Sequence, residues 1–181
     1  MKTYHLITLL ILLLAGRAFA QGASYGHPAN EPNDPKVVQS AKVPSTIADL
    51  KFSRLARDKE GNTKAELNNV LINEGSFYFK LRLSNRSSIP YDIDFIRFYI
   101  RDLKAAKRTV TQEEEVYPDA VFGQESASIA PAGRLMKIFR LNKFTLPDDK
   151  ALFIELYEKD GARHMSLEVS RSDIEDARTV R

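Results

Sequence analysis

Between Phe77 and Ser84 the chain alternates strictly, Phe77, Phe79, Leu81 and Leu83 interleaving with Tyr78, Lys80, Arg82 and Ser84. Successive side chains of an extended backbone point to opposite faces, so this stretch predicts a strand with one face in a core. Glu74-Gly75 just ahead of it predicts a hairpin turn from a strand over residues 65–72. Over residues 89–102 (IPYDIDFIRFYIRD), Tyr91, Ile93 and Phe95 share one face, and the phase then switches to Ile96, Phe98 and Ile100. Such a switch inside a continuous strand pattern predicts a β-bulge or a bend between two sheets.

Further strand patterns follow, weaker over 109–118 and 126–130, stronger over 135–141, 151–157 and 165–169. Asn142, Pro147-Asp148-Asp149 and Asp160-Gly161 separate the last three. Residues 170–177 read as a helix, with Ser172 as N-cap and Glu175 at the capping-box spacing. Seven or eight short strands over about 115 residues predict an all-β fold. The expected architecture is an immunoglobulin-like antiparallel β-sandwich with a short C-terminal helix, spanning residues 64–178.

The N-terminal third has another character. Residues 1–20 carry Lys2, a run of ten residues from Leu6 that is interrupted only by Thr8, and Ala18-Phe19-Ala20. This is the pattern of a secretory signal peptide cleaved between Ala20 and Gln21. A membrane span needs about 20 apolar residues, and Arg17 ends this run too soon; after cleavage no transmembrane segment is expected. Residues 21–44 are rich in Gly, Pro, Asn and Ser without apolar periodicity, which predicts a flexible tether. Ile47, Leu50 and Leu55 stand near helical spacing, so the tether region, 21–63, is expected to contain a short helix within 45–59.

Composition narrows the chemistry. The 181 residues include no cysteine, which excludes disulfide scaffolds, thiol nucleophiles and lipidated N-terminal cysteines. Net charge is +3, but Lys2 and Arg17 leave with the signal peptide and no acid does, so the remainder stands at +1. What survives is segregation. Residues 80–108 hold eight bases and three acids, whereas residues 109–133 hold five acids and no base. Opposite patches of this kind either pair within the fold or face different partners.

Glu113 and Glu115, two apart on a strand, would lie about 7 Å from each other, within the range of glycosidase carboxylates. Adjacent acids on one open strand are far more often a solvated face, since a glycosidase sets its acid and base across a cleft. The three histidines, His5, His27 and His164, have no metal-ligand spacing, and no G-x-S-x-G, P-loop or G-x-G-x-x-G is present. No catalytic residue, metal or cofactor is therefore expected, and the chain reads as non-enzymatic. Nucleic acid is not an expected partner either, because the aromatics within the basic segment fall at core spacing. Asn85-Arg86-Ser87 matches a glycosylation sequon but reads better as a polar turn.

Residues 67–118, densest over 85–112 (N-R-S, I-P-Y-D-I-D-F-I-R-F-Y-I-R-D, A-K-R-T-V-T-Q), resemble the C-terminal conserved domain of the conjugative transposon TraN family of Bacteroides-type elements. A second similar block covers residues 143–169. The family members compared are longer, with a further β-rich region ahead of this domain, and more often show G-G-R where this chain has Gly161-Ala162-Arg163. The resemblance implies an exported envelope protein of a Gram-negative bacterium, in the periplasm and associated with the outer membrane. It further implies contacts with other envelope proteins of a type IV secretion-like mating apparatus, either as a core subunit or as a shortened paralogue. A second copy of the chain is also a candidate partner. The surface expected to make these contacts comprises Arg97, Tyr99, Arg101, Lys107, Glu113, Glu114 and Glu115, since Tyr and Arg are enriched at interface hot spots. The alternative is an extracytoplasmic glycan- or peptide-binding module on the same fold, because fold alone does not decide function.

Overall fold

The computed structural model describes residues 43–103 and 113–180. The expected signal peptide with its expected Ala20–Gln21 junction, most of the expected tether and Lys107 lie outside the described residues. The elements run α1 (Ser45–Ala48), β1 (Arg54–Glu60), β2 (Thr63–Asn68), β3 (Leu71–Asn73), β4 (Ser76–Asn85), β5 (Tyr91–Asp102), β6 (Glu113–Glu115) and β7 (Ala120–Gly123). They continue through β8 (Ser128–Ile129), β9 (Arg134–Asn142), β10 (Lys150–Glu158), β11 (His164–Val169), α2 (Arg171–Glu175) and β12 (Arg178–Thr179).

These strands form the two layers of an all-β sandwich. In the seven-stranded layer β4 is central, with β2 and β3 along one edge and β9 along the other; β1 flanks β2 and β7 flanks β9. β12 adds to β3 in parallel, while the other pairs are antiparallel. The five-stranded layer runs β11-β10-β5-β6, with β8 against the start of β5. Phe77, Phe79, Leu81 and Leu83 of β4 face Leu152, Ile154 and Leu156 of β10 and Met165, Leu167 and Val169 of β11 across one continuous core. Phe98 of β5 meets Phe79 and Phe139 of the opposite layer edge-on, at ring-centroid distances of 5.7 and 5.1 Å. Each such buried side chain contributes on the order of 1.5–3 kcal/mol, so the apolar alternation of β4, β5, β10 and β11 dominates the stability of the sandwich.

Several local outcomes differ from the sequence expectation. β4 is buried on both faces, not one: Tyr78 and Lys80 are 4% and 6% exposed. The chain around α1 lies over this outer face, where Ile47 packs with Tyr78, Phe122 and Ile138, and Lys80 Nζ donates to the carbonyls of Ala48 and Leu50 at 2.7 and 3.1 Å. The expected helix over 45–59 is one turn only. Arg54–Glu60 is instead a strand paired with β2, so the sheet starts at Arg54, inside the segment assigned to the tether. Its backbone completes the edge of β2, a gain invisible in a segment with no apolar alternation of its own. The C-terminal helix lies within the expected 170–177, but its cap differs. Ser170, not Ser172, is the N-cap, in a capping box with Asp173, because extended backbone at Ser170 lets its hydroxyl reach the Asp173 N–H.

The phase switch in β5 is a bulge. Phe95 pairs with Tyr157, but the next residue of β10, Glu158, pairs with Ile93, leaving Asp94 as the extra residue. Tyr91 and Ile93 therefore face the core before the bulge, and Ile96, Phe98 and Ile100 face it afterwards. Phe95 is displaced to the outer face, which corrects its expected grouping with Tyr91 and Ile93.

Polar contacts close the end of the sandwich beside the bulge. Asn85 is fully buried; its amide donates to the carbonyls of Ile89 and Ile129 at 2.7 and 3.0 Å, and its Oδ1 accepts from Ser87. With both amide hydrogens engaged, the sequon is a structural turn in the folded chain. Arg163 forms an ion pair with Glu158 and reaches Thr63 Oγ1 at 3.1 Å and the Pro90 carbonyl at 2.6 Å, joining the two layers at the β4–β5 crossover. Its guanidinium lies 5.0 Å from the Tyr91 ring centroid, and the Tyr91 hydroxyl donates to the Arg163 carbonyl at 3.3 Å.

Burial, reinforced by the Glu158 carboxylate and only partly offset by Arg163, pushes the Tyr91 phenol up to about 12. A tyrosine in the unfolded chain ionises near 10. The neutral phenol thus stabilises the fold fully below pH 10, and this contribution, about 2–3 kcal/mol at most, is lost as pH rises towards 12. Urea midpoints at pH 9 and pH 11.5 should fall markedly for the native chain and much less for Tyr91→Phe; equal falls would contradict the assignment.

Candidate interaction surface

Once the bulge has set the phase of β5, every second residue from Phe95 points away from the core. Cross-strand register then places Phe95 beside Tyr157, Arg97 beside Glu155, Tyr99 between Phe153 and Glu115, and Arg101 beside Glu113. His164 on β11 extends the first row, its ring stacked on Tyr157 at 4.2 Å. The outer face of the five-stranded sheet is therefore a ladder of aromatic and charged side chains.

The charges are organised by short-range contacts. Arg97 lies over the Phe95 ring at 4.2 Å and donates to the Tyr99 hydroxyl at 3.0 Å. Arg101 lies over Phe153 at 3.8 Å and donates to Glu155 at 2.7 Å. Glu155 is 7% exposed and also accepts from the Tyr157 hydroxyl at 3.1 Å. Burial and this bond to a carboxylate both push the Tyr157 phenol up. Glu115 and Glu113 stand 3.8 and 3.7 Å from Arg97 and Arg101. The basic and acidic segments of the sequence thus meet across β5 and β6. Exposed pairs at such separations contribute about 0–1 kcal/mol each, so the ladder orients side chains more than it stabilises the fold.

Five of the seven residues expected at an interaction surface are brought together here: Arg97, Tyr99, Arg101, Glu113 and Glu115. Glu114 alternates to the other side of β6, opposite Ile100, and is exposed. Lys107 is outside the described residues. The glutamates of β6 lie on the strand that ends the five-stranded order among the described residues, with Glu113 and Glu115 beside arginines rather than across a cleft. Among the described residues, no cluster of three potential ligands could hold a metal ion. No described helix is long and apolar enough to cross a membrane.

Phe95, Phe153, Glu155, Tyr157 and His164 complete the face and were absent from the expected set. The alternation of residues 151–157 carried the signal: with Leu152, Ile154 and Leu156 inward, Phe153, Glu155 and Tyr157 must point outward.

A family model described as a domain of unknown function, DUF4138, matches residues 41–179. No curated protein matches the chain by sequence. Among solved structures, the archaellum periplasmic stator protein FlaG from Sulfolobus acidocaldarius is similar over 59% of this chain and 99% of its own, at 14% identity and a TM-score of 0.37.

The two arginines of the ladder should behave differently on truncation. Arg101→Ala leaves the buried Glu155 carboxylate without its cation and should cost about 1–3 kcal/mol. Arg97→Ala loses only half-exposed contacts and should cost less than about 1 kcal/mol. Denaturant titration of both, with Glu155→Gln restoring part of the Arg101→Ala loss, checks the distinction.

Proposed function

The chain belongs to the DUF4138 family, and we propose that it is a non-enzymatic, exported component or accessory of a conjugation apparatus that works through protein–protein contacts. The observation that carries this reading is the outer face of the five-stranded sheet, where Arg97, Tyr99 and Arg101 are presented half-exposed among Phe95, Phe153 and Tyr157. Arginine and aromatic side chains are the types that dominate interface energetics, and pre-ordering them by stacking lowers the entropy cost of binding. The resemblance of residues 85–112 and 143–169 to the TraN family supplies the pathway. The leader-like residues 1–20 supply the compartment, the periplasm or its outer-membrane boundary.

The glycan- or peptide-binding alternative calls for an open aromatic platform or a concave apolar pocket, and the hollow lined by Val43, Ala48, Met136 and Ile138 on the other layer is a feature of the second kind. Arg97 and Arg101 lie over Phe95 and Phe153, which leaves the rings covered and favours a protein partner that exchanges contacts with the guanidinium groups. A hydrolase would need paired carboxylates across a cleft, whereas Glu113 and Glu115 sit in a row on one strand.

Affinity purification of the tagged chain from cell envelopes after gentle crosslinking tests the proposal. Other mating-apparatus proteins should be recovered with it, and an Arg97→Glu/Tyr99→Ala variant should reduce that recovery roughly tenfold or more. Recovery of the chain alone, together with unchanged transfer frequency in a deletion strain, would contradict it.

A further inference from the structure

On the seven-stranded layer, away from the interaction face, two hollows share a wall. The first, of about 360 Å³, is lined by Lys64, Arg82, Arg86 and Arg134 around one carboxylate, Glu66. Glu66 is 3% exposed, and three cations converge on it: Arg82 at 2.9 Å, Lys64 at 3.1 Å and Arg54 at 3.6 Å. Among the described residues, neither Arg86 nor Arg134 has an acidic partner. One buried negative charge therefore stands against a surplus of positive charge that the fold does not offset. The second hollow, of about 610 Å³, shares Arg82 and Arg134 with the first. It continues over Val43, Ala48, Met136 and Ile138, a wall of carbon with few hydrogen-bonding groups. Docking of the α1 segment, held by Lys80, supplies Val43 and Ala48.

We infer that the two adjoining hollows bind an amphiphile with a phosphate head, the phosphate among Arg82, Arg86, Arg134 and Lys64 and an aliphatic chain over Met136 and Ile138. Guanidinium forks match phosphate oxygens, and a surplus of several cations suits a head with more than one negative charge. The apolar hollow would favour an aliphatic chain over a peptide, whose backbone needs more hydrogen-bond partners than this mostly carbon lining offers. This site lies on a different layer from the proposed assembly surface and stands independently of it.

Calorimetric titration of the mature chain with dodecyl phosphate, dodecyl maltoside and inorganic phosphate, each below any micelle threshold, tests the inference. Dodecyl phosphate should bind at least tenfold more tightly than either of the others. Arg134→Glu and Met136→Asp should each weaken it at least tenfold while leaving thermal unfolding cooperative. Equal binding of dodecyl maltoside would reduce the site to an apolar surface, and equal binding of inorganic phosphate would reduce it to an anion hollow; either overturns the inference. So does unchanged affinity in Arg134→Glu, or preferential binding of a peptide with an apolar C-terminal residue. Co-sedimentation with phosphatidic acid vesicles, set against phosphatidylcholine vesicles, then separates the two sources: sedimentation supports a membrane-borne head, and its absence alongside dodecyl phosphate binding supports a soluble amphiphile.

Discussion

A strand has a side-chain period of two, and β5 must satisfy two demands that a uniform period cannot meet. Its first residues, Tyr91 and Ile93, close one end of the core, and its later residues, Phe98 and Ile100, fill the middle of it. Without an extra residue between them, Arg97 and Arg101 would point into the core and Phe98 and Ile100 into solvent. Burying two guanidinium groups among Leu152, Ile154 and Leu156 carries a desolvation cost of several kcal/mol per ion. Asp94 absorbs the conflict as a bulge, and the β5 residues on the outer face of the five-stranded layer, Phe95, Arg97, Tyr99 and Arg101, take their phase from it.

The two layers then take on different surfaces. The outer face of the seven-stranded layer is partly roofed by α1, which buries Ile47 over Tyr78 and Ile138 and leaves a basic hollow around Glu66 at one side. Burial alone would raise the Glu66 carboxyl, but hydrogen bonds and charges from Lys64 and Arg82 outweigh it and hold the group below its ordinary range. The outer face of the five-stranded layer has no such roof among the described residues, and its Phe95 and Phe153 rings are shielded by arginines. Arg163 and Asn85 hold the layers together at the end where the chain crosses between them. Their contacts fix the start of β5 and, through it, the position of the bulge.

How much of this was legible in the sequence depended on whether a segment carried its own periodicity. β4, β9, β10 and β11 carry strand patterns from which their positions and turns follow, although β4 is buried on both faces where its alternation predicted one. The phase switch in β5 was visible as well, although placing it after Phe95 rather than at Asp94 put Phe95 on the wrong face. β1 was hidden because Arg54–Glu60 mixes charge and carbon without alternation; it is a strand because the edge of β2 needs a partner. β6, three glutamates, falls inside the weak strand pattern read over 109–118, and pairing with β5 fixes which part of that stretch is extended. The basic hollow was illegible for the same reason: Lys64, Arg82 and Arg134 lie far apart in sequence and meet only through the pairing of β2, β4 and β9. The charge segregation was plain, but not that its two halves would face each other across one pair of strands.

Under the proposed assembly role, the bulge at Asp94 presents the Arg97–Tyr99–Arg101 row as the contact surface. A photo-crosslinking phenylalanine analogue at Tyr99, compared in living cells with the same analogue at Ile89, an exposed site (58%) on the β4–β5 crossover, measures this directly. Discrete adducts of defined mass from position 99 but not from position 89 are the expected result. Adducts from position 89 alone, or none from position 99 in a chain that is exported and folded, would contradict it.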